Sequence, residues 1–111
     1  MASSLSMDEG EWAEAAFDAT GLEAPWDNLT GGTLTLYAER RSPTAAVMTP
    51  VAGSLDAAGT DGKVHGAKAM IPTSWVAGRY FCTLTLTKAG DGYPQKESFD
   101  LTIREVASAP A

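Results

Sequence analysis

The sequence predicts an all-β chain folded as a two-layer sandwich, on three observations. The last third alternates with a period of two, turn chemistry recurs between short apolar runs, and nothing from residue 20 to residue 106 carries an ordinary helical pattern. In the run from Tyr80 to Thr87, Tyr80, Cys82, Leu84 and Leu86 fall on one face, and Phe81, Thr83, Thr85 and Thr87 on the other. In the next run Phe99, Leu101 and Ile103 oppose Asp100, Thr102 and Arg104. Such alternation of β-branched and aromatic residues belongs to half-buried strands, and the Gly- and Pro-rich connector from Ala89 to Pro94 makes the two a hairpin.

The remaining elements follow in chain order. Residues 1–9 are small, polar and acidic, and read as a flexible N-terminal arm that orders on a partner. Ser6-Met7-Asp8-Glu9 has the spacing of a capping box, but Gly10 stands where a helix would propagate, so a first strand is expected at Glu11 to Phe17. Gly21 to Gly32, with Pro25, Asp27-Asn28 and Gly31-Gly32, is a loop. Thr33 to Glu39 is a strand with Leu34, Leu36 and Ala38 inward. Ala45 to Met48 makes a short strand, kept from the sheet centre by Pro50. Asp61-Gly62 is a tight turn ahead of a strand from Val64 to Ile71, closed by Pro72. Residues 10–106 then form one domain and 107–111 a frayed tail.

A chain of 111 residues with 44% apolar content suits a single domain with one core. The lone cysteine, Cys82, cannot form an internal disulfide, no secretion signal opens the chain, and no apolar run is long enough to span a bilayer, so folding in a reducing cytoplasm without a membrane partner is expected. Charge is uneven beneath the net −6. Residues 1–39 hold eight acids (Asp8, Glu9, Glu11, Glu14, Asp18, Glu23, Asp27 and Glu39) and no Lys or Arg, whereas residues 40–111 hold eight basic residues against six acids. An anionic third repels phosphate backbones, which argues against nucleic acid, and it is either steered to basic protein surfaces or simply solubilising. Asp8, Glu9 and Glu11 are the candidates for such docking.

Residues able to do chemistry are few. His65 is the single histidine, and no Gly-x-Ser-x-Gly elbow accompanies it. One His and one Cys, with carboxylates lacking the spacing of a calcium loop, predict neither a zinc nor a calcium site, and no cofactor is expected. Cys82 on an inward face reads as a small buried hydrophobe. The glycines at 31, 32, 90 and 92 fit turns better than phosphate loops. The outward Phe81 with its threonines makes a flat uncharged face, and Tyr93-Pro94 sits on a hairpin tip. Both suit protein contact, as well as an ordinary sheet exterior. Trp12, Trp26 and Trp75 are the candidates for an aromatic platform of the kind that binds glycans.

The order of these motifs carries a resemblance. Gly10-Glu11-Trp12, Asn28-Leu29-Thr30-Gly31-Gly32-Thr33-Leu34-Thr35-Leu36, Arg40-Arg41-Ser42-Pro43-Thr44, Asp61-Gly62-Lys63-Val64, Trp75-Val76-Ala77-Gly78-Arg79-Tyr80 and Ala89-Gly90-Asp91-Gly92 together resemble the small immunoglobulin-like virion proteins of tailed bacteriophages, a group that includes the N-terminal domain of upper-baseplate proteins. The likeness runs from about residue 10 to residue 106 and implies an immunoglobulin-like β-sandwich with a non-catalytic role in virion assembly. Upper-baseplate proteins continue into a helical neck, whereas this chain stops five residues after Val106, which brings its organisation nearer to capsid decoration or cement proteins. The implied partners are the major capsid protein or tail and baseplate proteins, with homo-oligomers open. A stand-alone carbohydrate- or receptor-binding module is the reading from a different class, and the expected partner contacts are Asp8, Glu9, Glu11, Phe81 and Tyr93.

Overall fold

The computed structural model describes residues 3–23, 26–88 and 94–106, and among them every regular element is a strand. The strands are β1 (Ser3–Asp8), β2 (Ala13–Asp18), β3 (Thr33–Ser42), β4 (Ala46–Val47), β5 (Val51–Ala52), β6 (Ser54–Leu55), β7 (Gly66–Ile71), β8 (Gly78–Thr87) and β9 (Gln95–Arg104). They form two sheets. The larger runs β1-β9-β8-β3-β4, with β5 also on β3, and the smaller runs β2-β7-β6. The chain is thus an all-β sandwich, as the alternation requires.

The predicted hairpin is the spine of the larger sheet. Leu84 pairs with Leu36 of β3 on one side and Glu97 of β9 on the other, and Leu86 pairs with Leu34 and Gln95. Tyr80, Cys82, Leu84 and Leu86 are buried with Leu34, Leu36, Phe99, Leu101 and Ile103. The smaller sheet turns Ala15, Phe17, Ala67, Ala69 and Ile71 into the same cluster. Alanines on three of those five positions let the two layers approach over bulky leucines and aromatics.

Three expectations are corrected. Residues 3–9 are not an arm: Ser3–Asp8 is strand β1, paired in parallel with Phe99–Arg104 of β9, and residues 1–2 of the expected arm lie outside the described residues. Leu5 and Met7 alternate with Ser4, Ser6 and Asp8, and Met7 is buried, so even a serine-rich segment gains apolar burial once an edge is present to receive it. The strand expected from Val64 begins at Gly66, because Val64 and His65 brace loops: Leu29 N donates to Val64 O and Ala19 N to His65 O, each at 2.8 Å. The first predicted strand begins later, at Ala13, and β5 and β6 were not anticipated. Gly53 lies between these last two, where the chain passes from one sheet to the other. A Cβ there would sit 2.8 Å from Lys68 O and 2.9 Å from Leu34 Cδ2, so only glycine fits the crossing.

The β7–β8 connection is held by polar groups from three directions. Tyr80 Oη donates to Val76 O at 2.7 Å, its ring stacks on Trp75 with centroids 5.2 Å apart, and Ala77 N donates to the Glu9 carboxylate at 2.9 Å. Arg40 Nη2 donates to Ala77 O. Gly78 clears the way for that guanidinium, since a Cβ would approach Arg40 Nε to 2.7 Å.

The register makes a direct prediction. Leu84→Ala empties a fully buried site and should cost about 2–5 kcal/mol in denaturant melts. Thr85→Ala, on the outer face, should cost no more than about 1 kcal/mol. Equal losses would contradict the inward and outward assignment.

Candidate docking surface

The outer face of the larger sheet is broad, with a Thr- and Ser-rich middle flanked by charged residues of both signs, among them Glu39, Lys96 and Asp100. Cross-strand pairing sets Tyr37 beside Thr83 and Thr83 beside Ser98, with Thr35 beside Thr85 and Thr33 beside Thr87 in neighbouring rows. Tyr37 is 47% exposed and lies in the middle of this face. Phe81 is half-buried there, between Glu39 and Asp100 in the ladder, with the Arg41 guanidinium 4.8 Å above its ring. The register shift between Arg40 and Ser42 belongs to the same corner of β3 as Arg41. Tyr93 lies outside the described residues.

The acids expected to meet a partner have neighbours within the chain. Asp8 Oδ1 accepts from Arg104 Nε at 2.7 Å, Glu11 Oε1 accepts from Asp8 N at 2.8 Å, and Glu9 accepts from Ala77 N. Phe81 shares the outer face of the larger sheet with Asp8 but pairs with Asp100, in the row of Ser4 and four residues along the ladder from Asp8, and Glu9 and Glu11 follow the end of β1, so the structure does not bring the predicted residues into one cluster. Arg40 and the unpaired edge of β2 were not singled out by sequence. The only sequence signal for Arg40 was a charged residue continuing the inward phase of Leu34, Leu36 and Ala38.

His65 sits in the loop ahead of β7, its Nε2 2.7 Å from Asp61 Oδ2, with the ring 40% exposed. Asp61 also accepts from Lys63 N, and this backbone bond followed by His65 holds its carboxyl below the usual 3.8. Lys63 Nζ reaches Asp27 Oδ2 at 2.9 Å, and Asn28 Oδ1 accepts from Val64 N at 3.0 Å. The hydrogen bond from Lys63 lowers Asp27, and its reciprocal raises Lys63 above 10.5. Cys82 is fully buried, and burial, with Asp100 adding to it, pushes its thiol up to about 12. Trp26 and Trp75 are buried and Trp12 is 65% exposed, so one ring remains of the three considered for a platform. Among the described residues no cluster of His, Cys, Asp and Glu is arranged to hold a metal ion, and no helix is long and apolar enough to cross a membrane.

No protein-family model matches the chain, and no curated protein is significantly similar to it in sequence.

Two outcomes are expected. A maleimide should label Cys82 only as fast as the core opens, because the native thiol is both sealed and protonated at neutral pH. Rapid labelling of the folded protein would contradict its placement. For the loop pair, the folded carboxyl values of Asp27 and Asp61 lie below the unfolded ones. Their stabilisation is therefore present above 3.8 and lost as pH falls through the folded values. Lys63, raised above 10.5, contributes below that value and loses its contribution as pH rises through the folded one. Asp27→Asn should therefore reduce the acid-induced fall in urea midpoint and be most costly between these limits. Superimposable pH profiles for wild type and variant would refute the coupling.

Proposed function

We propose that this chain is a non-enzymatic structural accessory protein of a tailed-phage virion, made in the bacterial cytoplasm and seated on the capsid shell as a decoration or cement protein. The observation that carries the reading is the outer face of the larger sheet. A flat array of Thr and Ser around Tyr37, bordered by Phe81 with Glu39, Asp100 and Arg41 about it, suits packing against another protein surface, with the two rings as anchors and the mixed charges at the rim.

The immunoglobulin-like form of the sandwich belongs to the same proposal. The smaller sheet, β2-β7-β6, corresponds to strands B, E and D of that fold, and β3, β8 and β9 to C, F and G. Tyr80 near the start of β8, bonded back to Val76 O and followed two residues later by Cys82, matches the tyrosine corner of such domains. The motif order quoted above adds the virion setting, and fold likeness by itself supports structure rather than role. The sealed thiol of Cys82 suits a non-catalytic part. A tail or baseplate seat is the alternative within the same class. A glycan- or receptor-binding module is the second reading, drawing on the exposed Trp12.

Gel densitometry of purified particles tests the assignment. A decoration protein should be present in many copies, in proportion to capsomers, and particles lacking it should rupture at lower temperature. A few copies that leave with detached tails would transfer the assignment to the baseplate, and absence from particles would overturn it.

A further inference from the structure

The smaller sheet ends on β2, and among the described residues β2 has a partner on one side only. Its antiparallel register with β7 sets Asp18 opposite Gly66, and Ala19 N donates to His65 O in the next pair. Hydrogen-bonded and non-hydrogen-bonded pairs alternate along such a ladder. Ala13, Ala15 and Phe17 therefore aim their backbone groups at β7, while Glu14, Ala16 and Asp18 aim theirs at the open side. In the immunoglobulin-like arrangement a fourth strand, A, would lie there. Here the N-terminal strand β1 pairs with β9 in the other sheet instead.

Edges are ordinarily blunted by shortness, proline, bulges or lysine. On the opposite flank β4, β5 and β6 have two residues each, and Pro50 interrupts the chain between β4 and β5. The β2 edge is six residues long, with no proline, no register shift and no Lys or Arg. Beside it a cleft of about 180 Å³ opens between β1 and β2, floored by Leu5, Ala15, Leu84 and Phe99 and rimmed by Glu14 and Glu97. That space is comparable with the ~150 Å³ that accommodates benzene in an apolar cavity. An inward side chain of an added strand would close it. Trp12 stands exposed directly before the edge.

We propose that the open edge of β2 is a strand-acceptor site for an extended segment of a partner protein that alternates aliphatic residues with Lys or Arg. Main-chain bonds to Glu14, Ala16 and Asp18 supply the pairing, the cleft takes an aliphatic side chain, and Glu14, Asp18 and Glu97 select for positive charge. The same acids disfavour a second copy as occupant. Antiparallel β2 on β2 centred at Ala16 sets Glu14 against Asp18 twice, and like charges directly opposite are repulsive. Lys68, opposite Ala16 on β7, lies one strand further in. The inference deepens the assembly reading and rests on it for the existence of a partner, but the binding is a property of the isolated chain.

The test uses the full chain, labelled with nitrogen-15, and a capped six-residue peptide alternating Lys and Val. Amide exchange at Ala16 and Asp18 should slow by at least about tenfold when the peptide is bound. The same peptide with Glu for Lys, or N-methylated at alternate residues in either register, should give no such protection. Glu14→Lys should weaken the Lys-Val peptide about fivefold, and high salt should weaken it further. Ala16→Pro should abolish binding while the fold survives, since an edge tolerates proline where the N–H faces outward. If that variant does not fold, the N-methylated peptides test the same donors. Absence of protection at millimolar peptide, protection on β4, β5 or the threonine-rich face instead, or a peptide-free dimer with the same protection would each overturn the proposal. Failure here beside a high copy number on capsids would remove this edge and leave the decoration reading intact. Binding here by a chain absent from particles would do the reverse.

Discussion

Strand β8 lies between two ten-residue neighbours and pairs with both along nearly its whole length. The register of the larger sheet therefore depends on which face β8 turns inward. A slip of one residue on the β3 side would carry Leu34 and Leu36 out of the core and bring Thr35 and Tyr37 in, and a slip on the β9 side would exchange Leu101 and Ile103 for Asp100 and Thr102. The cost of such a slip, several buried side chains at once, makes the pairing unique. The parallel addition of β1 depends on β9 having that register already.

Polar contacts complete the regions that alternation leaves undetermined. The Ala77 peptide group takes Arg40 on its carbonyl and gives its N–H to Glu9, so the end of β1, the inner face of β3 and the entry to β8 meet at one residue. Arg40 Nε is buried without a hydrogen-bond partner among the described residues, which makes this corner electrostatically demanding as well as close-packed. Burial raises the Tyr80 phenol, and the nearby Arg40 charge works against that rise. At the other polar cluster, Asp27, Asn28, Asp61 and Lys63 tie two loops together through exposed, salt-sensitive pairs. The first assembly is internal scaffolding. The second braces loops that are open to solvent.

The distribution of charge gives the molecule two different exteriors. The broad sheet face carries charges of both signs around a Thr- and Ser-rich middle and suits a flat partner. The flank of β1 and β2 is acidic: Asp8, Glu9 and Glu11 have neighbours within the chain, and of the two acids of the β2 edge itself, Glu14 and Asp18, Asp18 accepts from Thr20 N at 2.8 Å. An acidic segment that looked like a flexible tether is therefore a fixed surface, and docking there would not have to order a mobile chain before binding.

The period-two runs of residues 80–87 and 99–104, the Leu34, Leu36 and Ala38 face, and the turn residues around Pro50, Asp61-Gly62 and Pro72 made the class of fold and most of the core legible in the sequence. Each is a local pattern written within a few residues. The seat of Ser3–Asp8 was not legible, because its partner lies 96 residues away at Arg104 and its own apolar content is two side chains. Nor were β5 and β6, two residues each, whose sheet membership depends on a close approach at Gly53. Phe81 and the threonine face could be read as outward, yet the open edge beside Glu14, Ala16 and Asp18 could not, since nothing local says which strand will have no neighbour. Alternation along a strand is set by the chain's own geometry. Which edges meet, which acids find partners and which backbone groups stay unpaired is decided only when distant segments are packed together.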